Sequence, residues 1–213
     1  MDMGLGRTIL LTGFEPFGGS DVNPSITACR RLEGRTFNGF GGVVEEVPLR
    51  FHEIKGNIEG HIKKHRPAAV VCTGQSGGPS IALERVAINI ASAKNPYNCG
   101  YKPVDEALND EGPTAYFSRL PLRDLEEALK GVKIPVVVSN SAGTYGCNQI
   151  FYHLMDYLAR TGIDIPAGFI HVPPLPEQVV GKNMPSMTVE LIAQALEVVV
   201  ELISKRLSQQ AFK

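Results

Sequence analysis

The sequence predicts an α/β fold: a three-layer α/β/α sandwich with a mostly parallel central sheet, forming a single domain over residues 1–213. Two observations lead there. Short, continuous apolar runs recur along the chain, as they do in strands buried on both faces. Between several of them lie segments whose apolar residues follow helical spacing, so strands and helices alternate.

Thr8 to Thr12 is the first β-rich run, ended by Gly13. Asn23-Pro24 reads as an N-cap with proline at the first helical position, and Gly34 closes that helix. Val43 to Val47 is a second strand. Phe51, Ile54, Ile58 and Ile62 then repeat at helical spacing, with Pro67 beyond the end. Ala68 to Cys72 is a third apolar run, and Ile81 to Ile90 alternates like one strand. Ala91 to Gly112 has no period and is rich in Asn, Pro, Gly and Tyr; long irregular segments in compact domains are often functional loops. Val136 to Ser139 and Gly168 to Val172 are two further strands. Helices are expected from Cys147 to Ala159 and from Thr188 to Leu207.

Bulk properties exclude several classes. A formal net charge of -1 provides no field to attract nucleic acid or an anionic membrane. No stretch approaches spanning length, and Ile9-Leu10-Leu11 is too short for a signal-peptide core, so a cytoplasmic location is expected. Cys29, Cys72, Cys99 and Cys147 stand far apart with no zinc-type pairing, so free thiols are expected and no metal site.

The chemistry concentrates at three places. In the first, Cys147 opens a helix after the strand Val136 to Ser139 and a loop of small residues. Unpaired N–H groups and a partial positive charge at a helix start favour a thiolate and can hold an oxyanion. The competing reading is a small buried hydrophobe, the usual fate of a free cysteine. In the second, Glu84 shares the apolar face of its strand with Ala82, Val86, Ile88 and Ile90, and so needs a partner. An imidazolium would serve; so would Arg85 re-aimed by a bulge, in a purely structural pair. In the third, His171 ends an apolar strand just before Pro173-Pro174. His52, His61 and His65 lie in a polar amphipathic segment and are expected to be solvated. A thiol, an imidazole that shuttles its proton and a carboxylate that orients the imidazole are the parts of a thiol hydrolase. Phe14 and Phe17, in the loop Thr12-Gly13-Phe14-Glu15-Pro16-Phe17-Gly18-Gly19, either wall an apolar pocket or plug the sheet edge. Gly18-Gly19 belongs to no phosphate-loop pattern, which argues against a phosphorylase-like enzyme.

Together these stretches resemble the pyroglutamyl peptidase I family of cysteine peptidases. The resemblance runs through Thr12 to Gly19 with Asn23-Pro24-Ser25, Gly74 to Gly78, Glu84 to Asn89, Ser141 to Asn148, Phe151 to Met155 and Gly168 to Pro173. It implies an α/β/α sandwich that removes N-terminal pyroglutamate from peptides with no metal or cofactor, as a homo-oligomer, dimer or tetramer. It assigns Cys147 as nucleophile, His171 as general base and acid, and Glu84 as the orienting carboxylate. It places Phe14, Phe17, Asn23, Gln75, Tyr145 and Gly146 around the lactam ring. A small uncharged ring with one N–H and one C=O suits an apolar slot with a few fixed polar groups. Three positions depart from the family pattern: Gly146 replaces a bulkier aliphatic residue, Tyr145 a phenylalanine, and Lys94 an arginine. Lysine lacks a planar fork of donors. These departures leave an alternative, a weakened module that binds pyroglutamyl peptides without turning them over.

Overall fold

The structure is a computed structural model and describes residues 6–210. Among these described residues nine strands and five α-helices follow one another as β1 (Thr8–Phe14), α1 (Pro24–Cys29), β2 (Thr36–Phe37), β3 (Phe40–Val47), α2 (Ile54–His65), β4 (Ala69–Gln75), β5 (Ile81–Glu84), β6 (Val86–Ile88), β7 (Ala115–Phe117), α3 (Leu122–Gly131), β8 (Val136–Ser139), α4 (Gly146–Thr161), β9 (Ala167–Val172) and α5 (Val189–Gln210). Seven strands form the main sheet in the order β2-β3-β1-β4-β9-β5-β8. The β3, β1, β4 and β9 strands are mutually parallel, and β5 pairs with β8 in parallel. Two pairings are antiparallel, β2 with β3 and β5 with β9. The mostly parallel sandwich is therefore what the chain forms.

Alternation along the strands sorts the core into two layers. Ile9, Leu11, Val71, Leu83 and Ile170 point to one face, where α1, α3 and α5 cover them. Leu10, Val70, Cys72 and Phe169 point to the other, under α2 and α4. Helix α1 starts as its sequence requires. The Asn23 Oδ1 accepts from Ser25 N at 3.0 Å, and Pro24 occupies the first turn. It is shorter than expected: it passes into a 3₁₀ turn over Arg30–Leu32 before Gly34 turns the chain at φ 71°. Among the described residues no helix is long and apolar enough to cross a membrane.

Two expectations need correction. Ile81 to Ile90 is not one strand. The chain leaves the main sheet at Arg85, whose N–H donates to Ser139 O at 2.8 Å, and β6 then pairs with β7 in a separate two-stranded sheet. Alternation reports which way side chains point, not which sheet the backbone joins, so the break left no trace in the pattern. His61 and His65 are not solvated. Their side chains are 16% and 17% exposed and face Glu45 of β3, with His65 Nε2 2.6 Å from its Oε1. Burial works against charge on Glu45, but hydrogen bonds from Lys64 and His65 hold it below the usual carboxylate range. Finally, α3 lies in a stretch for which no element was expected.

The helix α4 is buried over most of its length, and His153 goes with it at 3% exposure. Burial first, then the charges of Lys55 and Arg160, press its pKa down to about 4 against the pull of Asp156. The folded chain thus keeps His153 neutral where the unfolded chain protonates it. Stability falls as pH drops from the unfolded value near 6.5 to about 4. Replacing His153 by leucine is expected to remove about 3 kcal/mol of that acid loss. Urea unfolding of both proteins at pH 7 and pH 4 checks it; equal slopes of stability against pH would contradict it.

Candidate active site

The sheet register builds the site before any side chain is considered. Gly74 of β4 pairs with His171 of β9, and His171 pairs with Ala82 of β5. Directly paired residues share a face. A row of Gly74, His171 and Ala82 therefore crosses three strands beneath α4, with an imidazole standing between two of the smallest side chains. Glu84, two residues beyond Ala82, lies on the same face as the diagonal neighbour of His171. Its Oε1 meets His171 Nδ1 at 2.7 Å, and the carboxylate is 1% exposed. The partner of Glu84 is thus the imidazole. Arg85 turns away and donates from Nε to Asn140 Oδ1 at 2.8 Å.

The thiol comes from above. After β8 the chain runs through a loop tied down by Thr144, whose Oγ1 donates to Ser92 O at 2.7 Å. Tyr145 is the extended cap of α4 and gives it no side-chain hydrogen bond. The first bond of the helix ladder is donated by Gln149 N to Tyr145 O at 3.0 Å. The N–H groups of Gly146, Cys147 and Asn148 precede that ladder and open at the helix start, where the dipole is positive. Cys147, the second residue of α4, is half-buried and sets its Sγ against Gly74: a Cβ on Gly74 would stand 2.7 Å from that sulfur and 2.8 Å from Phe169 Cζ. The glycine is what lets the thiol reach the sheet.

Electrostatics couple the three groups. Burial disfavours a charge on His171, but the charge and hydrogen bonding of Cys147, and then those of Glu84, overcome it and push its pKa up to about 10. Cys29 and Cys72 are the opposite case. Burial raises each to about 12, which leaves them inert thiols of the core. Cys99 is exposed in the irregular segment.

The remaining pocket residues separate into two kinds. Phe14 is buried, with Cδ2 3.5 Å from where a Gly74 Cβ would be, so it adjoins the sulfur. Phe17 is half-buried in the loop after β1, and Gln75 ends β4 next to Gly74. The Tyr145 ring lies 4.4 Å from that of Tyr97, centroid to centroid, and its hydroxyl donates to Pro96 O at 2.9 Å. Asn23 is spent on structure: besides capping α1 it donates from Nδ2 to Glu15 O at 3.1 Å, which shapes the Phe14–Phe17 loop. Lys94 is exposed. A Cβ on Gly146 would collide with Leu49 Cδ1, so Leu49 fills the place of the missing side chain.

Sequence reasoning passed over Asn148 and Gly74. Asn148 clamps α4 to the segment that follows Glu84, accepting from Ile88 N at 2.9 Å and donating to the carbonyls of Ile88 and Ile90 at 2.9 and 3.1 Å. It follows Cys147 in a stretch already singled out, but its own side chain carried no local signal of this role. Gly74 did carry a signal, since a glycine ending an otherwise buried strand marks a close approach.

A thiol on a helix start above an imidazole–carboxylate pair is equipped for nucleophilic attack on a carbonyl. The family model for pyroglutamyl peptidase matches residues 7–206. The chain belongs to the pyroglutamyl peptidase family. It is a peptidase, and its relatives span nearly its whole length. It is 45% identical to the pyrrolidone-carboxylate peptidase of Bacillus licheniformis, with 91% of each chain covered. It is 42% identical to that of Thermococcus onnurineus, over 91% of this chain and 96% of the other. The crystal structure of pyroglutamyl peptidase I from Bacillus amyloliquefaciens superposes with a TM-score of 0.91 at 41% identity, covering 94% of this chain and 96% of that one. A mutant pyrrolidone carboxyl peptidase from Pyrococcus furiosus gives 0.91 at 34% identity, covering 94% and 99%.

The geometry predicts that Gly74→Ala disables the thiol, because the new methyl and Sγ claim the same space. Turnover is expected to fall by about a hundredfold, the usual cost of displacing a reacting group by an ångström. Alkylation of Cys147 by iodoacetamide, followed by peptide mapping to separate it from Cys99, is expected to slow in parallel. Unchanged alkylation and turnover would place the sulfur elsewhere.

Proposed function

We propose that this protein hydrolyses the amide bond that follows an N-terminal pyroglutamyl residue, through a Cys147–His171–Glu84 triad and a thioester intermediate. The observation that carries the reading is the row across β4, β9 and β5, which sets an imidazole, fixed by Glu84, beneath the sulfur of Cys147. The relatives' shared name supports the substrate.

In this reading the Cys147 sulfur attacks the pyroglutamyl carbonyl carbon. The carbonyl oxygen takes up negative charge facing the open N–H groups of the α4 start. As the C–N bond breaks, His171 passes its proton to the departing nitrogen, and the peptide leaves as a neutral amine. A water molecule then attacks the thioester, giving a proton to His171, and pyroglutamate departs as the C–S bond breaks. Glu84 holds the ring by Nδ1 and balances the imidazolium throughout. Phe14, Phe17 and Tyr145 supply apolar and aromatic walls for the ring, Gln75 a polar group, and Gly146 one of the open N–H groups at the start of α4. The binding-module alternative rested on Gly146 and Lys94. Leu49 fills the space beside Gly146, and Lys94 is exposed, so neither observation favours it. A cytoplasmic, homo-oligomeric protein belongs to the same proposal; light scattering of the purified chain measures the second part.

Release of a chromogenic amine from its pyroglutamyl amide, beside the prolyl amide, tests the reaction. Wild-type protein is expected to cleave only the first compound, and Cys147→Ser to lose about a thousandfold or more. Cleavage of both compounds, or full activity in the variant, would overturn the reading.

The pH profile tests the roles. The imidazolium must persist to protonate the leaving nitrogen, so activity is expected to fall as pH rises through the elevated His171 pKa. Glu84→Gln removes one of the two charges that raise it, and the alkaline limb is expected to move down by about one pH unit. An unmoved limb would deny Glu84 that role.

A further inference from the structure

Beyond Gln75 the surface opens into a groove of about 670 Å³, within the roughly 300–1,000 Å³ typical of ligand clefts. One wall is the loop after β1, with Phe17 and Asp21; the other is the segment after β9, with Glu177, Gln178 and Lys182. Gln178 holds the walls together. Its Nε2 donates to Ser20 Oγ at 3.0 Å, to Val22 O at 3.2 Å and to Gln75 Oε1 at 3.3 Å, while its Oε1 accepts from Leu175 N at 2.8 Å. The groove is thus a built feature with a fixed width. Phe17 and Gln75 line it and are also assigned above to the pyroglutamyl ring, so the groove adjoins that slot.

The substrate's chemistry says what lies there. A pyroglutamyl residue has no chain before it, because its amine is closed into the lactam. Everything else in the peptide is on the leaving side of the scissile bond. The group that protonates the leaving nitrogen is His171, and the chain runs from it through Val172 and Pro173 to Pro174, in the groove wall. The groove wall therefore starts three residues beyond the group assigned to meet the leaving amine. Its exposed charges are Asp21, Glu177 and Lys182, and Lys182 Nζ is already bonded to Gln178 O at 2.8 Å.

We propose that this groove binds the first residues of the leaving peptide and that Asp21 and Glu177 favour a basic side chain among them. The proposal rests on the pyroglutamyl peptidase reading above and extends it from the ring to the rest of the substrate. Because the carboxylates are exposed, the preference is small, a few-fold at most.

Three alanine-based substrates and one shorter control test it: pyroglutamyl-Ala-Ala-Ala amide, the same peptide with Lys or with Glu at its third position, and pyroglutamyl-Ala amide. The leaving nitrogen is alanyl in all four, so only the chain beyond it varies. In wild-type protein kcat/KM is expected to rise about fivefold from the short amide to the long one. Lys is expected to exceed Glu by about threefold. The double variant Asp21→Lys, Glu177→Lys is expected to reverse that order while leaving the short amide unchanged, which also shows that it folds. Equal kcat/KM for short and long peptides, or an order of Lys and Glu that the variant does not change, would overturn the groove assignment with the peptidase reading intact. No turnover of even the short amide by folded wild-type protein would remove the reading beneath it, and the groove with it.

Discussion

At the end of β4 the sheet presents a residue with no side chain, and the Cys147 sulfur occupies the space. The rest of the site hangs on that steric fact. A helix packed on a sheet normally sits a side chain's length away, about 10 Å from axis to backbone. Cys147 has a short side chain and stands on the first turn of α4, so it reaches the sheet only where the sheet yields. Gly74 yields on one side of His171, and Ala82 leaves the other side low enough for Glu84 to reach the ring. Two small residues thus make room for three reactive ones.

Around that contact the fold supplies rigidity from several directions. The imidazole rides on β9, whose neighbours hold it along both edges. The helix carrying the thiol is fixed by Asn148 to the strand segment after Glu84, so thiol and carboxylate are referenced to one another through a single buried amide. Burial then strengthens each charge interaction. Burial presses down on both His171 and His153; partners beside His171 overcome it and raise that imidazole, while those around His153 on α4 are too weak to do so. Two histidines in one protein are pushed in opposite directions by the company they keep.

Much of this was legible in the chain. Strands β1, β4 and β9 were readable because both of their faces are buried, which leaves continuous apolar runs, and the edge strand β8 because three valines stand in a row. Asn23-Pro24 announced α1 because capping chemistry is local. Cys147, His171 and Glu84 stood out as reactive groups at element ends or on an apolar face. What stayed hidden were relations between distant segments. The antiparallel pairing of β5 with β9 makes Glu84 the neighbour of His171 rather than of Arg85, and no local pattern encodes it. The change of sheet at Arg85 preserves alternation. His61 and His65 looked solvated because the carboxylate that claims them, Glu45, lies on another element. Leu49 filling the hollow beside Gly146 is likewise a compensation between positions nearly a hundred residues apart, invisible until the chain is folded.

The place of β9 in the sheet has a consequence for the newly made chain. It lies between β4 and β5 and is the last strand in sequence, so the sheet cannot close until the ribosome has released almost the whole polypeptide. Until then β4 and β5 have no common neighbour, and the thiol of α4 has no imidazole beneath it. Pairings between such remote segments form late, since their loops must be closed first. Truncated or half-folded forms therefore carry the Cys147 thiol without the imidazole–carboxylate pair that the sheet sets beneath it.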